Sequence, residues 1–383
     1  MENGIYRAVV VGGGIGGLCT AIALRQIGLE VTVYEQAPDF GEAGAGLSLW
    51  PNALRALRKL GLAEAVIAAG VKVQEGALLT RSGKALTYTR TGEFETLFGE
   101  PTIVIHRARL HQILLNALPA EWIRLGETCA GFRQDETGVT VRFASGRLDR
   151  ADLLVGADGI HSVVRQKLFP DVKPRYSGYT AWRGVVTTAD ALALGRTSES
   201  WGPGARFGVV PVSRGEVYWY ATANVPAGQR LTAKENKRSL HRRFRGWHDP
   251  VEKLIETTPA ESILHNDVYD IEPMSQWSRG RVVLVGDAAH PTTPNLGQGA
   301  CQAIESSLAL ASSLVQEPDL DAAFRRYEIG RMERTSWITN QSWQIGRIGQ
   351  LENKLVCALR NFAIRLVPDS LTKKHLAQAI GIQ

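Results

Sequence analysis

The run Gly12-Gly13-Gly14-Ile15-Gly16-Gly17 constrains this chain more than any other feature. It satisfies Gly-x-Gly-x-x-Gly, and it stands between a near-continuous apolar stretch, 5–11, and a segment, 15–27, with apolar residues at helical spacing. Such an apolar run is what a parallel strand buried on both faces requires. Gly28 can take the left-handed conformation that ends a helix, and 31–34 reads as a second strand. The opening is therefore a βαβ unit, with a right-handed crossover expected. Gly12 permits the tight turn, Gly14 lets a pyrophosphate approach the backbone, and Gly17 lets the helix pack close to the sheet. The helix N-terminus offers free N–H groups and a positive dipole end to phosphates. Glu35, 18 residues after Gly17, is placed to accept hydrogen bonds from a ribose.

Two more turn motifs follow apolar strands. One is Gly156-Ala157-Asp158-Gly159-Ile160-His161-Ser162-Val163-Val164-Arg165. The other runs from Arg281 through Gly286-Asp287-Ala-Ala-His290 to Pro294-Asn-Leu-Gly297-Gln-Gly299. There a buried strand ends at Gly286, and Asp287 is positioned to bond a sugar or ribityl hydroxyl. The glycine-rich segment starts a helix whose N-terminus can face developing negative charge. Between these motifs the pattern changes: 179–187, 207–211 and 217–223 read as strands of a mainly antiparallel sheet with aromatic faces. From Gly299 onward the spacing is helical almost to the end.

Glycine turn, then Arg107 within His106-Arg-Ala-Arg-Leu110, then GADG, then GDAAHPTTPNLGQG resembles the class A flavoprotein monooxygenases in order and spacing. That family includes hydroxybenzoate, salicylate, urate and alkylquinolone hydroxylases, and the resemblance covers nearly the whole chain. It implies an α/β fold: a Rossmann-like FAD-binding domain, an inserted mainly antiparallel β-sheet substrate domain, and C-terminal helices. The division expected is 1–75, 100–174 and 272–330 for the FAD-binding domain, 76–99 and 175–271 for the substrate domain, and 331–383 for the C-terminal helices. The cofactor implied is one FAD. NAD(P)H is the co-substrate and binds without a Rossmann domain of its own, consistent with the lack of a second Gly-x-Gly-x-x-Gly.

By resemblance, Gly12, Gly14, Gly17 and Glu35 match the adenosine and pyrophosphate positions, Arg107 the cofactor-contacting arginine, and Asp158 the aspartate said to touch FAD and NAD(P)H. Asp287 matches the ribityl-binding aspartate, Pro294 the proline beside flavin and substrate, and Gly297 to Gly299 the loop near the N1–O2 edge of the ring. The implied reaction is hydride transfer to the flavin, then oxygen transfer from a flavin C4a-hydroperoxide to an electron-rich aromatic or heteroaromatic ring, with the cofactor carrying the hard chemistry.

The middle sheet supplies pocket candidates: Trp182, Arg183, Arg206, Phe207, Tyr218 and Tyr220. Strand alternation puts Tyr218 and Tyr220 on one face and Trp219 on the other. Arg206 and Tyr218 resemble the substrate-contacting pair of urate hydroxylases, and together with Pro294 they are the catalytic candidates. The bland alternative makes Arg206 an inter-strand residue, since burying an arginine without a partner is costly. The stretches 342–349 and 366–369 look instead like alkylquinolone hydroxylases. Urate-like purines, alkylquinolones and hydroxybenzoates or salicylate all stay open as substrates. So do epoxidation, Baeyer–Villiger oxidation and a non-catalytic redox sensor as alternatives to hydroxylation.

His161 and His290 read as helix-start or supporting residues rather than catalytic bases, and Cys301 as small helix packing. Four scattered cysteines without a CxxC pair argue against disulfides and zinc, and no metal site is expected. The net charge of +6 is spread along the chain without a nucleic-acid module, so anionic cofactors are its simpler explanation. No stretch reaches the ~18 apolar residues of a membrane span, and a cytoplasmic monomer or homodimer is expected. The tail 353–375 alternates Leu, Val and Ile with Lys354, Arg360, Arg365, Lys373 and Lys374. It reads as an amphipathic helix packed on the protein, or as a membrane or dimer contact.

Overall fold

The computed structural model describes residues 5–41, 45–187 and 195–381. Strand β1 (Arg7–Val11) lies between β2 (Glu30–Tyr34) and β3 (Leu153–Gly156), parallel to both. Val282–Leu284 continues the parallel pairing beyond β3 and Ile123–Arg124 beyond β2, and Ser278–Arg279 closes one edge antiparallel. Val9, Val10, Leu153 and Leu154 are fully enclosed, as strands covered on both faces must be. Helix α1 (Ile15–Gln26) follows β1, and the short helix α2 (Val163–Leu168) follows β3. A smaller three-stranded sheet, Gly46–Leu49, Ile103–His106 and Val71–Lys72, leads towards the second half of the molecule.

That half is a seven-stranded sheet. Its order is Leu264–Asp270, β4 (Arg175–Thr187), β7 (Glu216–Ala223), β6 (Ala205–Ser213), β5 (Arg196–Gly202), Glu75–Thr80 and Ala85–Thr89. All neighbours are antiparallel except β5 with Glu75–Thr80. Period-2 alternation splits its side chains cleanly. Trp182, Phe207 and Trp219 pack behind the sheet with Leu240 and Phe244 of α3 (Ala233–Phe244) and Val251 and Leu254 of α4 (Val251–Thr257). Val185, Val210, Val212, Tyr218 and Tyr220 face the other way, with Val73 and Val104. A buried apolar back thus leaves the front face to be shaped for chemistry.

Helix α5 (Gly299–Gln316) lies along α1, tied by Ser307, whose Oγ meets both Thr20 Oγ1 at 2.9 Å and the Gly16 carbonyl at 3.1 Å. Helix α6 (Leu320–Gly349) has 30 residues, about 45 Å at 1.5 Å per residue. Near its start the Tyr327 hydroxyl donates to the Leu284 carbonyl, and at its end Gln350 reaches β6. One helix therefore braces both sheets. Helices α7 (Lys354–Arg365) and α8 (Asp369–Ile380) finish the chain. No helix among the described residues is long and apolar enough to cross a membrane.

Candidate active site

The glycine turn has the geometry its spacing predicts. Gly12 has φ +107°, and a Cβ there would lie 2.3 Å from the Ala157 carbonyl oxygen, so only glycine fits where the first and second motifs touch. A Cβ on Gly17 would sit 1.9 Å from the Gly12 carbonyl oxygen; this is the close helix-to-strand approach. Gly14 is different, since a Cβ there meets nothing within 4 Å. Its backbone borders open space at the start of α1. Glu35 reaches back over the turn: one carboxylate oxygen accepts from Gly13 N–H at 2.7 Å, the other from Ala37 N–H at 2.9 Å. Each oxygen keeps a second lone pair for a hydroxyl donor. The Gly13 carbonyl meets His111 Nε2 at 2.7 Å, a support the motif spacing did not reveal.

The second and third motifs are joined by Arg165. It is fully buried; NH1 donates to the Ala288 carbonyl at 3.1 Å and NH2 to the Ile160 carbonyl. Sequence reasoning quoted Arg165 within its motif but gave it no role, because its partner lies 123 residues away. Asp158 points one oxygen at the start of α2, accepting from Val163 N–H at 2.7 Å and Val164 N–H at 3.2 Å. Its other oxygen is buried without a partner, and desolvation raises its pKa. Asp287 is exposed at the third turn. Surrounding protein raises its pKa by desolvation, while the positive charges of Arg107 and Arg165 pull it back. Arg107 itself, at the start of helix Arg107–Asn116, is exposed. The three motifs thus meet at one place.

His290 and Cys301 lie inside the fold. Burial pushes the His290 imidazole down to about 3 and the Cys301 thiol up to about 12. Arg331 Nε donates to Ser306 Oγ at 3.2 Å, and His290 Nε2 lies 2.9 Å from the same oxygen. His161 is exposed at the second turn.

The loop after His290 connects the parallel sheet to the seven-stranded sheet. Pro294 is exposed, at the start of a single turn ended by Gly297 at φ +62°. A Cβ on Gly297 would lie 3.2 Å from Trp50 Nε1, a buried N–H with no protein partner. Gly299 begins α5. Asn295 Nδ2 lies 3.0 Å from the Tyr179 hydroxyl on β4, 2.8 Å from the Ser342 carbonyl on α6 and 2.9 Å from Thr293 Oγ1.

Facing that loop is the front of the seven-stranded sheet. Tyr218 lies across Gly46, where a Cβ would come within 2.6 Å of its ring, and its phenol meets Arg183. Tyr220 lies flat over Gly208, where a Cβ would be 2.1 Å away, and its hydroxyl meets Glu199 on β5. Burial raises both phenols. Arg206 is 2% exposed, and its guanidinium bonds Gln350 Oε1 at 2.9 Å through Nε and Glu199 Oε1 at 3.2 Å through NH1. It also lies 5.3 Å from the centre of the Tyr179 ring. Arg206 and Tyr218 therefore share the front face, but Arg206 has a carboxylate partner of its own. Trp182 and Phe207 correct the expected pocket list. Both point to the back face, because an even-numbered residue on β4 and an odd-numbered one on β6 fall on the side of α3. Glu199 and Gln350 carried no signal in the sequence.

Among known proteins, the family described as FAD binding domain matches residues 6–333. The chain belongs to the FAD-dependent aromatic monooxygenases. It is 43% identical over 380 residues to an aurachin C monooxygenase/isomerase of Stigmatella aurantiaca, covering 98% of this chain and 99% of that protein. Identity is 35% over 334 residues to the FAD-dependent urate hydroxylase of Klebsiella pneumoniae subsp. pneumoniae, with 86% of each chain covered. It is also 35% over 383 residues to the 3-amino-4-hydroxybenzoate 2-monooxygenase of Streptomyces cremeus, covering 98% of this chain and 95% of that one. The crystal structure of Klebsiella pneumoniae HpxO complexed with FAD and uric acid superposes with a TM-score of 0.92 at 31% identity, covering 99% and 97%. This monooxygenase uses FAD, with NAD(P)H as co-substrate. Its cleft suits that cofactor: Gly14 leaves room at the start of α1, and Asp158 and Trp50 each hold a buried polar atom without a protein partner.

Proposed function

We propose that the ring oxidised by this monooxygenase is a neutral, electron-rich heteroaromatic of the alkylquinolone kind, hydroxylated according to RH + O2 + NAD(P)H + H+ → ROH + H2O + NAD(P)+. The observation that carries the reading is the Arg206–Glu199 pair on the front face. Glu199 balances the arginine, so the face offers two phenols, the valines Val185, Val210 and Val212, and one half-exposed cation, Arg183, beside Tyr218. That set suits an apolar ring carrying one oxygen substituent better than a carboxylate or a urate anion. Support also comes from the likeness to the aurachin C monooxygenase/isomerase, which runs over 380 residues while the urate hydroxylase match covers 334.

In this reading the Gly12, Gly14 and Gly17 turn with the start of α1 holds the pyrophosphate, and Glu35 accepts from the ribose. Arg107 and Asp158 border the cofactor, and Asp287 accepts from the ribityl hydroxyls. Gly297 and Gly299 would border the flavin ring. FAD held there would supply the hydride-accepting and oxygen-activating chemistry. The chain's own part is to orient and to exclude water. Tyr218 and Arg183 hold the ring oxygen, and Tyr220, kept flat by Gly208, forms the floor. Arg206 fixes Glu199, and Pro294 closes the wall on the loop side. A substrate proton would pass through the Tyr220 hydroxyl to the Glu199 carboxylate it meets, since His290 is enclosed elsewhere. The enzyme is proposed to act in the cytoplasm as a monomer or homodimer, with peripheral membrane contact through its C-terminal tail and no nucleic-acid partner.

A second reading, oxygen insertion as an epoxide that then rearranges, is favoured by one fact: the 43% relative is named both monooxygenase and isomerase. Product NMR separates the two. The test of substrate class is anaerobic stopped-flow reduction of the flavin by NADH and NADPH, with alkylquinolones, urate-like purines and hydroxybenzoates. Acceleration by an alkylquinolone is the expected result. Acceleration by urate or a benzoate alone overturns the assignment, and no reduction by either nucleotide would move the redox-sensor alternative ahead.

A further inference from the structure

Helix α7 is built inside out for a protein surrounded by water. Its start is capped by Asn353, whose Oδ1 accepts from Leu355 N–H at 3.0 Å and Val356 N–H at 3.2 Å. Its inward side is short and firmly held. Cys357 is buried, with Sγ 3.1 Å from the Leu351 carbonyl. Arg360 NH1 donates to the Ile348 and Gly349 carbonyls at 3.0 and 3.2 Å, and its guanidinium lies 4.9 Å from the Trp201 ring centre. The outward side is apolar. Leu355, Leu359, Phe362 and Leu366 are 81%, 68%, 59% and 65% exposed. Spaced at i, i+4, i+7 and i+11, they make one stripe about 16 Å long at 1.5 Å rise per residue. Val356, Val367 and, on α8, Leu371 widen it. Monomeric soluble proteins rarely expose so continuous an apolar area without a use for it.

The charges around the stripe name its occupant. No acidic residue occurs in Lys354–Arg365. Lys354 and Arg365 lie near its two ends, and Lys374 is exposed on the next helix. Lys373 is paired to Glu93 at 2.6 Å, and the Glu352 carboxylate accepts from Asn224 at 2.8 Å. An apolar stripe edged by exposed cations matches the boundary of an anionic bilayer, where leucine and phenylalanine enter the acyl region and lysine and arginine stay at the headgroups. A second copy of this chain would bring the same cations face to face across the stripe.

We propose that α7 docks this enzyme on an anionic lipid bilayer. The docking surface lies next to the substrate face: Arg360 holds the carbonyls of residues 348 and 349, and the following residue, Gln350, bonds Arg206. The proposal rests on the monooxygenase reading only for the importance of that neighbourhood, since lipid binding is measured without substrate or turnover.

The test is co-sedimentation of the FAD-loaded full chain with extruded phosphatidylcholine vesicles, with and without phosphatidylglycerol, at roughly 0.15 M ionic strength. The expected result is sedimentation with the anionic vesicles, weakened by added salt. A Leu359→Glu/Phe362→Glu variant, shown to be folded by its retained flavin absorbance and unchanged flavin reduction by NAD(P)H, should partition at least about tenfold less. Absence of wild-type binding, or equal binding by the variant, overturns the proposal. So does a wild-type dimer that the variant disperses while neither form binds vesicles; the occupant is then a second copy. A failure of the substrate assignment alone leaves the vesicle result unchanged.

Discussion

Replacing Gly208 by alanine tests whether the Tyr220 floor is built as described. The added Cβ would sit 2.1 Å from Tyr220 Cε1 and Cζ and 2.7 Å from Cδ1. Ordinary contact begins at 3.4 Å, so the ring must retreat about 1.3 Å. The backbone gives no second reason for a defect, because Gly208 lies within a regular strand and outside the positive-φ glycines. The whole cost therefore falls on the ring and its hydroxyl contact with Glu199. Overpacking of this size costs about 1–3 kcal/mol. For a chain of 383 residues, with about 2.1 cal/mol/K of unfolding entropy per residue, that is a fall of about 1–4 °C in Tm. A displacement near 1 Å at a substrate-facing group also lowers kcat/KM by about 10²-fold. Differential scanning fluorimetry and steady-state NAD(P)H oxidation with the best substrate measure both. The control is the pair Gly208→Ala/Tyr220→Ala, in which the clash has no partner. Its stability should lie above the sum of the single effects, as coupled neighbours require. Unchanged Tm and kcat/KM in Gly208→Ala, or strict additivity in the pair, would refute the packing argument.

Asp287→Ala should lose FAD: a carboxylate that accepts from a hydroxyl is worth about 1.5–3 kcal/mol, or about tenfold and more in affinity. Full flavin occupancy after gel filtration would contradict it. Gly17→Ala sets a Cβ 1.9 Å from the Gly12 carbonyl oxygen, a backbone atom that cannot yield, so α1 must lift from β1. A loss of at least about 2 kcal/mol in urea unfolding is expected, together with flavin loss, and wild-type stability would count against it. His290, ordinarily near 6.5 and held down to about 3, stays neutral in the fold while the unfolded chain takes up a proton. More protons are then bound unfolded than folded, so stability falls as pH drops from about 6.5 towards about 3, by up to roughly 4 kcal/mol. Urea melts of wild type and His290→Asn should show a shallower acid limb for the variant, and parallel limbs would remove His290 from that role.

Much of the nucleotide half was legible because its reasons are local. A parallel strand buried on both faces announces itself as an apolar run, and the steric roles of Gly12, Gly14 and Gly17 follow from a turn of six residues. The pairing of residue parity with sheet face was equally legible for Tyr218, Trp219 and Tyr220, and the same rule allows only one of Trp182 and Arg183, and one of Arg206 and Phe207, on the pocket face; the packing decides which. What the sequence hid was long-range charge compensation. From sequence, Arg206 reads either as a substrate contact or as an inter-strand residue. Its neutralising carboxylate, Glu199, sits seven residues back across a hairpin, and Gln350 lies 144 residues onward at the end of α6. Asp158 was legible as part of a turn, yet nothing local revealed that one of its oxygens serves the N–H groups of α2.

The anchoring of the loop after His290 explains why cofactor side and substrate side behave as one construction. On the nucleotide side, Arg165 ties the Ala288 carbonyl to the second turn. On the substrate side, Asn295 meets Tyr179 of β4 and Ser342 of α6, and Tyr179 lies under the guanidinium of Arg206. Thr293 and Ser342 close a further hydroxyl contact at 2.9 Å in the same buried spot. A buried hydrogen-bond network of this kind has little freedom to shift one member alone, because each orphaned group costs about 1–3 kcal/mol. Changing the substrate face at Tyr179 or Arg206 therefore alters the support of Asn295 as well. On the proposed reading, selectivity for the ring and the position of the loop share the same few bonds, so substitutions aimed at one should be read out on both.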